Sequence, residues 1–430
     1  MKLSSVAIKN YKSLRDVELS LRTLSVFVGR NGSGKSNFAD ALDFLAVAYS
    51  DGLEHAVARK GGFENIAHRK ERRSRAPICF EVAIDARIRD SELGPAVVAG
   101  RRAADVERRY LFRHRFSMRT TGGGIQSEFN IVEERLELLC WDEAELTAGY
   151  EWMVIERDSK GGLTIGGDKS SRLAQHVFFN AVEWDQTKNP ELALANTELL
   201  FGFPFLRPRL IGRFTSWLSK FSIFQLSPES SRHAGVPTPN PVLSSHGENL
   251  PAVVSWLKSK RPKEWRAILR AMKEIVPELE DISVHYLHTR TLGLLFKEEG
   301  VGRPWGSEEV SDGTIRSLAM LVACFDPRVS ALMVEEPENS LHPWIIKEVI
   351  KHLRALSVEK TVLVTTHSPI VLNSVSPAEV WVVFKKDGET HIRTLTQFDP
   401  LIQGDWEAGK YRLFDYLESG AVSEAVPSGL

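Results

Sequence analysis

The chain opens on alternating apolar and polar positions. Val6, Ile8 and Tyr11, then Val17, Leu19 and Leu21, sit between polar neighbours, the pattern of half-buried antiparallel strands. Leu24–Val28 is instead almost continuously apolar, which predicts a strand buried on both faces. It runs straight into Gly29-Arg30-Asn31-Gly32-Ser33-Gly34-Lys35-Ser36, after which Phe38, Leu42, Leu45 and Tyr49 recur at helical spacing. From Pro77 to Ile165 the runs PICFEVAID, YLFRHRFSM, FNIVEERLELL and EWMVIER read as strands between glycine-rich or charged turns. From Pro190 to Leu279 the texture is helical, with helices predicted over 249–258 and 262–276, Pro262 at a first helical position and Pro277 past the end. A Pro/Ser-rich connector, FSIFQLSPESSRHAGVPTPNP, precedes those helices. In the last third, Ala331–Val334, Thr361–Thr365 and Val380–Phe384 are short apolar runs, with a helix over Pro343–Leu356. Strands alternating with helices predict a parallel sheet whose ligand site lies at the strand C-termini. There are no sustained heptads and no internal repeat.

Composition narrows the class. The 430 residues are 43% apolar and 26% charged, which excludes a largely disordered chain. No apolar run approaches the ~18 residues of a membrane-spanning helix. Lys9 and Lys12 interrupt any apolar core of a secretory signal, and Cys79, Cys140 and Cys324 are far apart without CxxC spacing. A reduced, cytoplasmic protein is the expectation. The net charge is −1, from 55 Lys and Arg against 56 Asp and Glu, but it is unevenly spread. Residues 59–119 hold 16 basic and 8 acidic residues, a balance of +8 that includes Arg69, Arg72, Arg73, Arg75, Arg101, Arg102, Arg108, Arg109, Arg113 and Arg115. Two readings fit: a polyanionic partner such as DNA, or an Arg-rich solvated face.

Gly29–Ser36 fits G-x-x-x-x-G-K-[ST] between a strand and a helix, the context that motif requires. Its glycines let several backbone N–H groups face one anion, and a helix N-terminus adds partial positive charge. Lys35 would reach the β/γ-phosphates, and Ser36 would offer a hydroxyl to Mg²⁺. Ala331-Leu-Met-Val-Glu335-Glu336-Pro337 is a buried strand ending in two carboxylates, one suited to Mg²⁺ and one to orienting or deprotonating a water. Thr365-Thr366-His367 ends the next apolar run, where His367 can hydrogen-bond a γ-phosphate. Ser311, Asp312 and Gly313 precede a helical run and have the residue types of a helix cap that permits close backbone approach.

In that order, P-loop, S-x-G signature, acid pair and histidine, the chain resembles an ABC-type ATPase. IKNYKSL before the P-loop strand resembles the N-terminal N-F-K-S segment of the RecF/SMC-like branch. GRNGSGKSN, VSDGTIR, EEPENSLHP and TTHSP, together with QLSPESSR and HGENLPAVVSWL, resemble the ATPases grouped with the overcoming-lysogenization-defect (OLD) family. The likeness covers roughly residues 1–65 and 225–385. It implies an α/β ATPase head of mixed and parallel sheet with flanking helices, an inserted β-rich section and helical subdomain, and no long coiled coil. It implies ATP and Mg²⁺ as ligands, with Asn37 joining Gly29–Ser36 at the nucleotide and Ser36 and Glu335 at the metal. Lys35, Glu336 and His367 would be catalytic, and Ser311–Gly313 of one copy would close on the P-loop of another in an ATP-linked homodimer. Glu335 replaces the usual aspartate, the signature reads Ser-Asp-Gly, and Gln126 is the candidate for the glutamine loop. Only 63 residues follow His367, too few for the Toprim nuclease of full OLD proteins, so any nuclease is expected on a separate chain.

The expected layout is an N-terminal lobe over 1–165, a helical subdomain over 166–280, a C-terminal lobe over 281–395 and an acidic tail over 396–430. The expected role is nucleotide-gated control of DNA or of an effector, in anti-phage defence or DNA maintenance. A RecF-like recombination mediator and a low-turnover scaffold that stores an effector are the other readings.

Overall fold

A computed structural model of the chain describes residues 1–68, 76–93, 97–98, 101–102, 105–122, 128–141, 151–167, 173, 195, 197–202, 210–287, 290–420 and 422. The chain divides into two compact units, each assembled from separated segments: Met1–Arg22, Asn31–Lys220 and Phe384–Ile392 in the first, and Thr23–Arg30, Phe221–Val383 and Arg393–Leu430 in the second.

The first unit is built on a seven-stranded antiparallel sheet. Its strands are β1 (Lys2–Tyr11), β2 (Leu14–Ser20), β4 (Ile78–Arg89), β5 (Glu107–Thr120), β6 (Phe129–Trp141), β7 (Glu151–Arg157) and β8 (Leu163–Gly167), in the order β8-β7-β6-β5-β4-β1-β2. The alternation at the N-terminus becomes the β1–β2 hairpin, which pairs Val6 with Leu19 and Ile8 with Val17. Helix α1 (Lys35–Ser50) turns its apolar side onto this sheet: the Phe44 ring lies 5.7 Å from Tyr11 and 5.2 Å from Phe80.

Register explains the basic section. On β5, Arg109, Arg113 and Arg115 project on one side, and each meets a carboxylate of a neighbouring strand. Arg109 holds Asp85 with its Nε at 3.0 Å, Arg113 reaches Glu137 at 3.0 Å and Glu81 at 3.4 Å, and Arg115 reaches Glu133 at 3.2 Å. Arg108 faces the other way and lies 3.4 Å from buried Asp90. Each of these four arginines therefore has a carboxylate partner, two of those acids, Glu133 and Glu137, coming from outside the basic section. Arg69, Arg72, Arg73, Arg75 and Gln126, and the side chains of Arg101 and Arg102, lie outside the described residues.

In the second unit, β9 (Phe221–Phe224), β12 (Ala331–Glu335), β13 (Thr361–Thr366), β3 (Leu24–Val28) and β14 (Val380–Lys386) are neighbours in that order, all parallel. All five residues of β3 are buried, as its composition predicts. Phe221–Phe224, which the sequence presents as the start of a connector, is instead a strand: four residues paired one to one with Ala331–Val334. A hairpin of β10 (Leu279–Tyr286) and β11 (Leu292–Glu298) also belongs to this unit. Helices α2 (Leu250–Lys260), α3 (Pro262–Ile275), α4 (Asp312–Phe325) and α5 (Pro343–Ser357) complete it, and α3 buries Trp265, Ile268, Met272 and Ile275. The longest helix among the described residues, α1, has 16 residues, and no helix there is long and apolar enough to cross a membrane.

Candidate functional site

The P-loop leaves β3 at Val28 and enters α1 at Lys35. Gly29 and Arg30 belong to the second unit; Asn31, Gly32, Ser33, Gly34, Lys35, Ser36 and Asn37 belong to the first. Gly32 at φ 76° and Gly34 at φ 109° use backbone conformations that side chains disfavour. At Gly34 there is also no room: a Cβ would lie 2.0 Å from Thr390 Oγ1. Thr390, on β15 (Glu389–Thr394), donates its hydroxyl to the Ser33 carbonyl at 2.9 Å. The same oxygen lies 2.7 Å from Ser13 Oγ, which accepts from Asn37 Nδ2 at 2.6 Å. With the Thr390 proton committed to Ser33, Ser13 donates to Thr390, and the chain of bonds runs Asn37 to Ser13 to Thr390 to the P-loop carbonyl. The IKNYKSL segment is therefore a brace for the loop.

Lys35 is buried, whereas Ser36 is exposed. Ser33 Oγ is buried with no hydrogen-bond partner among the described residues, so its donor and acceptor capacity is unused within the loop. Beside it, Lys12, Ser13, Asn37, Asn65, Ala67, His68 and Gly388 line a cavity of about 370 Å³. Under this wall, Asp40 accepts from Tyr11 at 2.7 Å and from Lys60 at 2.6 Å, and pairs with Lys12. Burial would raise its pKa, but the bonds from Lys12, Lys60 and Tyr11 outweigh that and hold the carboxyl below its ordinary range.

The second unit brings the carboxylate tip, the histidine tip and the signature helix together. Parallel pairing sets Glu335 opposite Thr365, so β12 and β13 end side by side. Glu336 then turns into the left-handed region at φ 46°, held by its N–H donating to the Thr365 carbonyl at 2.9 Å. Its Oε2 accepts from Asn339 at 2.7 Å, and its Oε1 lies 4.0 Å from His367 Nε2. Ser311 caps α4, accepting from the Thr314 N–H at 3.1 Å, and Asp312 pairs with Arg232 at 2.7 Å. Arg232 also donates to the carbonyls of Ser307 and Val310, so it secures the whole signature turn. Arg316, one turn further along α4, donates to the Glu336 carbonyl at 2.8 Å. Sequence reasoning missed Arg232, Arg316, Asn339 and Thr390. QLSPESSR, VSDGTIR and EEPENSLHP, which contain Arg232, Arg316 and Asn339, carried a signal through their family likeness; Thr390 carried none.

A P-loop between a buried strand and a helix, a capped S-x-G turn and adjoining acidic and histidine strand tips resemble the parts of an ABC-type ATPase. The family comparisons agree by segment. Residues 1–85 match the family described as "AAA ATPase domain", and residues 221–373 match the one described as "AAA domain, putative AbiEii toxin, Type IV TA system". A 56-residue segment is 36% identical to the DNA replication and repair protein RecF of Lactococcus lactis subsp. cremoris (strain MG1363). It is 34% identical to that of Lactococcus lactis subsp. lactis (strain IL1403). It spans 13% of this chain and 16% of each relative's length. Among solved structures, the SMC head bound to the C-winged helix domain of ScpA resembles 92% of this chain over 98% of its own, at 14% identity and a TM-score of 0.47. The SMC head domain from Thermotoga maritima does so over 92% and 99%, at 11% and 0.43.

Proposed function

We propose that this protein binds ATP with Mg²⁺, hydrolyses it, and uses the bound state to join two copies head to tail. The observation that carries the reading is the Glu336–His367 pair, two proton-handling groups 4.0 Å apart at adjoining strand tips. Glu336 would accept a proton from the attacking water, and His367 would hydrogen-bond the departing phosphoryl oxygen. Lys35 places a cation at the β/γ-phosphates. In the first unit Ser36 would offer its hydroxyl to the Mg²⁺, and in the second Glu335 has the carboxylate chemistry of a metal ligand; the ion would supply charge neutralisation. The cavity lined by Lys12, Ser13, Asn37 and His68 offers ammonium, hydroxyl and amide donors for the nucleoside end. Ser311, Asp312 and Gly313 head a helix N-terminus whose partial positive charge suits a γ-phosphate presented by a second copy.

We further propose that the closed pair governs a separate effector protein, in defence or DNA maintenance. Arg109, Arg113 and Arg115 already face carboxylates, so these three are poorly placed to hold DNA phosphates, and the reading takes a protein as the partner. Phosphate release measured with Mg²⁺ or EDTA, with and without duplex DNA, tests the reading. Mg²⁺-dependent release that Lys35→Ala abolishes and DNA leaves unchanged is expected. Release that survives Lys35→Ala would overturn the hydrolysis reading. A several-fold stimulation by DNA would return DNA to the partner's place.

A further inference from the structure

The carboxylate of Glu338 has no part in the reading above, yet it is bonded to the histidine tip. Its Oε1 accepts from Thr366 Oγ1 at 2.7 Å and from the backbone N–H of His367 at 2.8 Å. Thr366 Oγ1 in turn accepts from the Ser368 N–H at 2.9 Å, so the whole turn after β13 hangs on one carboxylate oxygen. The other oxygen, Oε2, is buried without a hydrogen-bond partner among the described residues, and so is Nε of Arg316. Burial pushes the Arg316 guanidinium below its ordinary value, opposed first by Glu338 and then by Glu336. The cation that grips the Glu336 carbonyl therefore also feels the charge of Glu338.

We propose that Glu338 is a positioning residue: its carboxylate fixes the backbone of His367 at a set distance from Glu336, whose own carbonyl is held by Arg316 of the signature helix. The inference rests on reading Glu336 and His367 as the reacting pair. The physical need is plain. Glu336 occupies a left-handed backbone conformation, which side chains keep only when neighbours over-determine it. The His367 side chain is 40% exposed, so packing does little to hold it. An anchor on its backbone N–H restrains it without blocking the imidazole.

The test compares Glu338→Ala with Glu338→Gln. A glutamine carbonyl supplies the same acceptor oxygen; alanine supplies none. We expect Glu338→Ala to lower kcat about 10–100-fold, the range typical when the partner of a functional side chain is removed, with KM for ATP shifted far less. Glu338→Gln should restore most of the rate. In a His367→Ala background the same Glu338→Ala change should cost almost nothing, because it acts through His367. Amide hydrogen exchange over residues 361–370 reads the contact without turnover: His367 should exchange faster in Glu338→Ala than in the wild type or in Glu338→Gln. If Glu338→Ala does not fold, Glu338→Asp withdraws the oxygen by one methylene and carries the same expectations. Unchanged exchange, or a kcat loss undiminished in the His367→Ala background, would overturn the role of Glu338. Faster exchange in a protein whose turnover Glu336→Gln leaves intact would support the anchor and overturn the reacting pair.

Discussion

Replacing Gly34 with alanine tests the brace beneath the P-loop. Gly34 sits at φ 109° and ψ 11°, and holding alanine in left-handed backbone costs about 1–2 kcal/mol. The new Cβ would stand 2.0 Å from Thr390 Oγ1 and 2.9 Å from Thr390 Cβ, so rotating the threonine cannot relieve the clash. Thr390 is buried and must move as a whole, surrendering its bonds to Ser33 and Ser13 at about 0.5–1.5 kcal/mol each. Together these give a loss of about 2–5 kcal/mol. Gly32→Ala is the control: its φ is 76°, but nothing lies within 4 Å of the added carbon, so it should lose only about 1–2 kcal/mol. At roughly 2–4 °C per kcal/mol, thermal unfolding should place Gly34→Ala several degrees below Gly32→Ala. Equal melting temperatures for the two variants would refute the packing of Thr390 against the loop.

Four further outcomes follow from the same structure. A Cβ on Gly313 meets nothing closer than 3.6 Å, so Gly313→Ala should melt like the wild type; Ser311→Arg should keep ATP binding yet block turnover, and full activity in Ser311→Arg would exclude signature action in trans. The lowered pKa of Asp40 means its ion pairs stabilise the fold above the ordinary carboxylate value near 4 and lose that effect as pH falls through the folded value. Asp40→Asn should accordingly melt lower than wild type at pH 7 and converge with it as pH falls below the ordinary carboxylate value, and a gap independent of pH would contradict this. Arg113→Ala should lower stability by about 1 kcal/mol or less, as expected for a partly exposed pair, and leave any DNA affinity and its salt slope unchanged; a reduced slope would identify Arg113 as a phosphate contact.

Much of the parallel sheet and of the P-loop was legible because their signals are local. The apolar run Leu24–Val28, the glycines before Lys35 and the acids after Val334 each declare a strand end or a turn within a few residues. Phe221–Phe224 was not legible as a strand, since four residues beside Ser and Pro acquire strand character only by pairing with Ala331–Val334, about 110 positions away. The pairing within the basic section was hidden for a similar reason. Counting charge along the chain cannot see that the register of β5 with β4 and β6 sets Arg113 beside Glu81 and Glu137. At the candidate site, residue type singles out Lys35, Glu336 and His367, which sit in short motifs. It did not reveal Thr390 or Glu338, whose importance lies wholly in the oxygen or backbone N–H each one meets. The link between Asn37 and Thr390 needs three segments far apart in sequence, brought together only by the fold.

The most direct test of the central claim is phosphate release by wild type and Glu336→Gln under saturating ATP and Mg²⁺, with ATP affinity measured on both. If Glu336 accepts the proton of the attacking water, the glutamine variant binds ATP as tightly as wild type. Its turnover should fall about 10²–10⁴-fold, the share that positioned acid–base groups contribute, and ATP should accumulate in a joined pair. Turnover by Glu336→Gln at the wild-type rate would contradict the account.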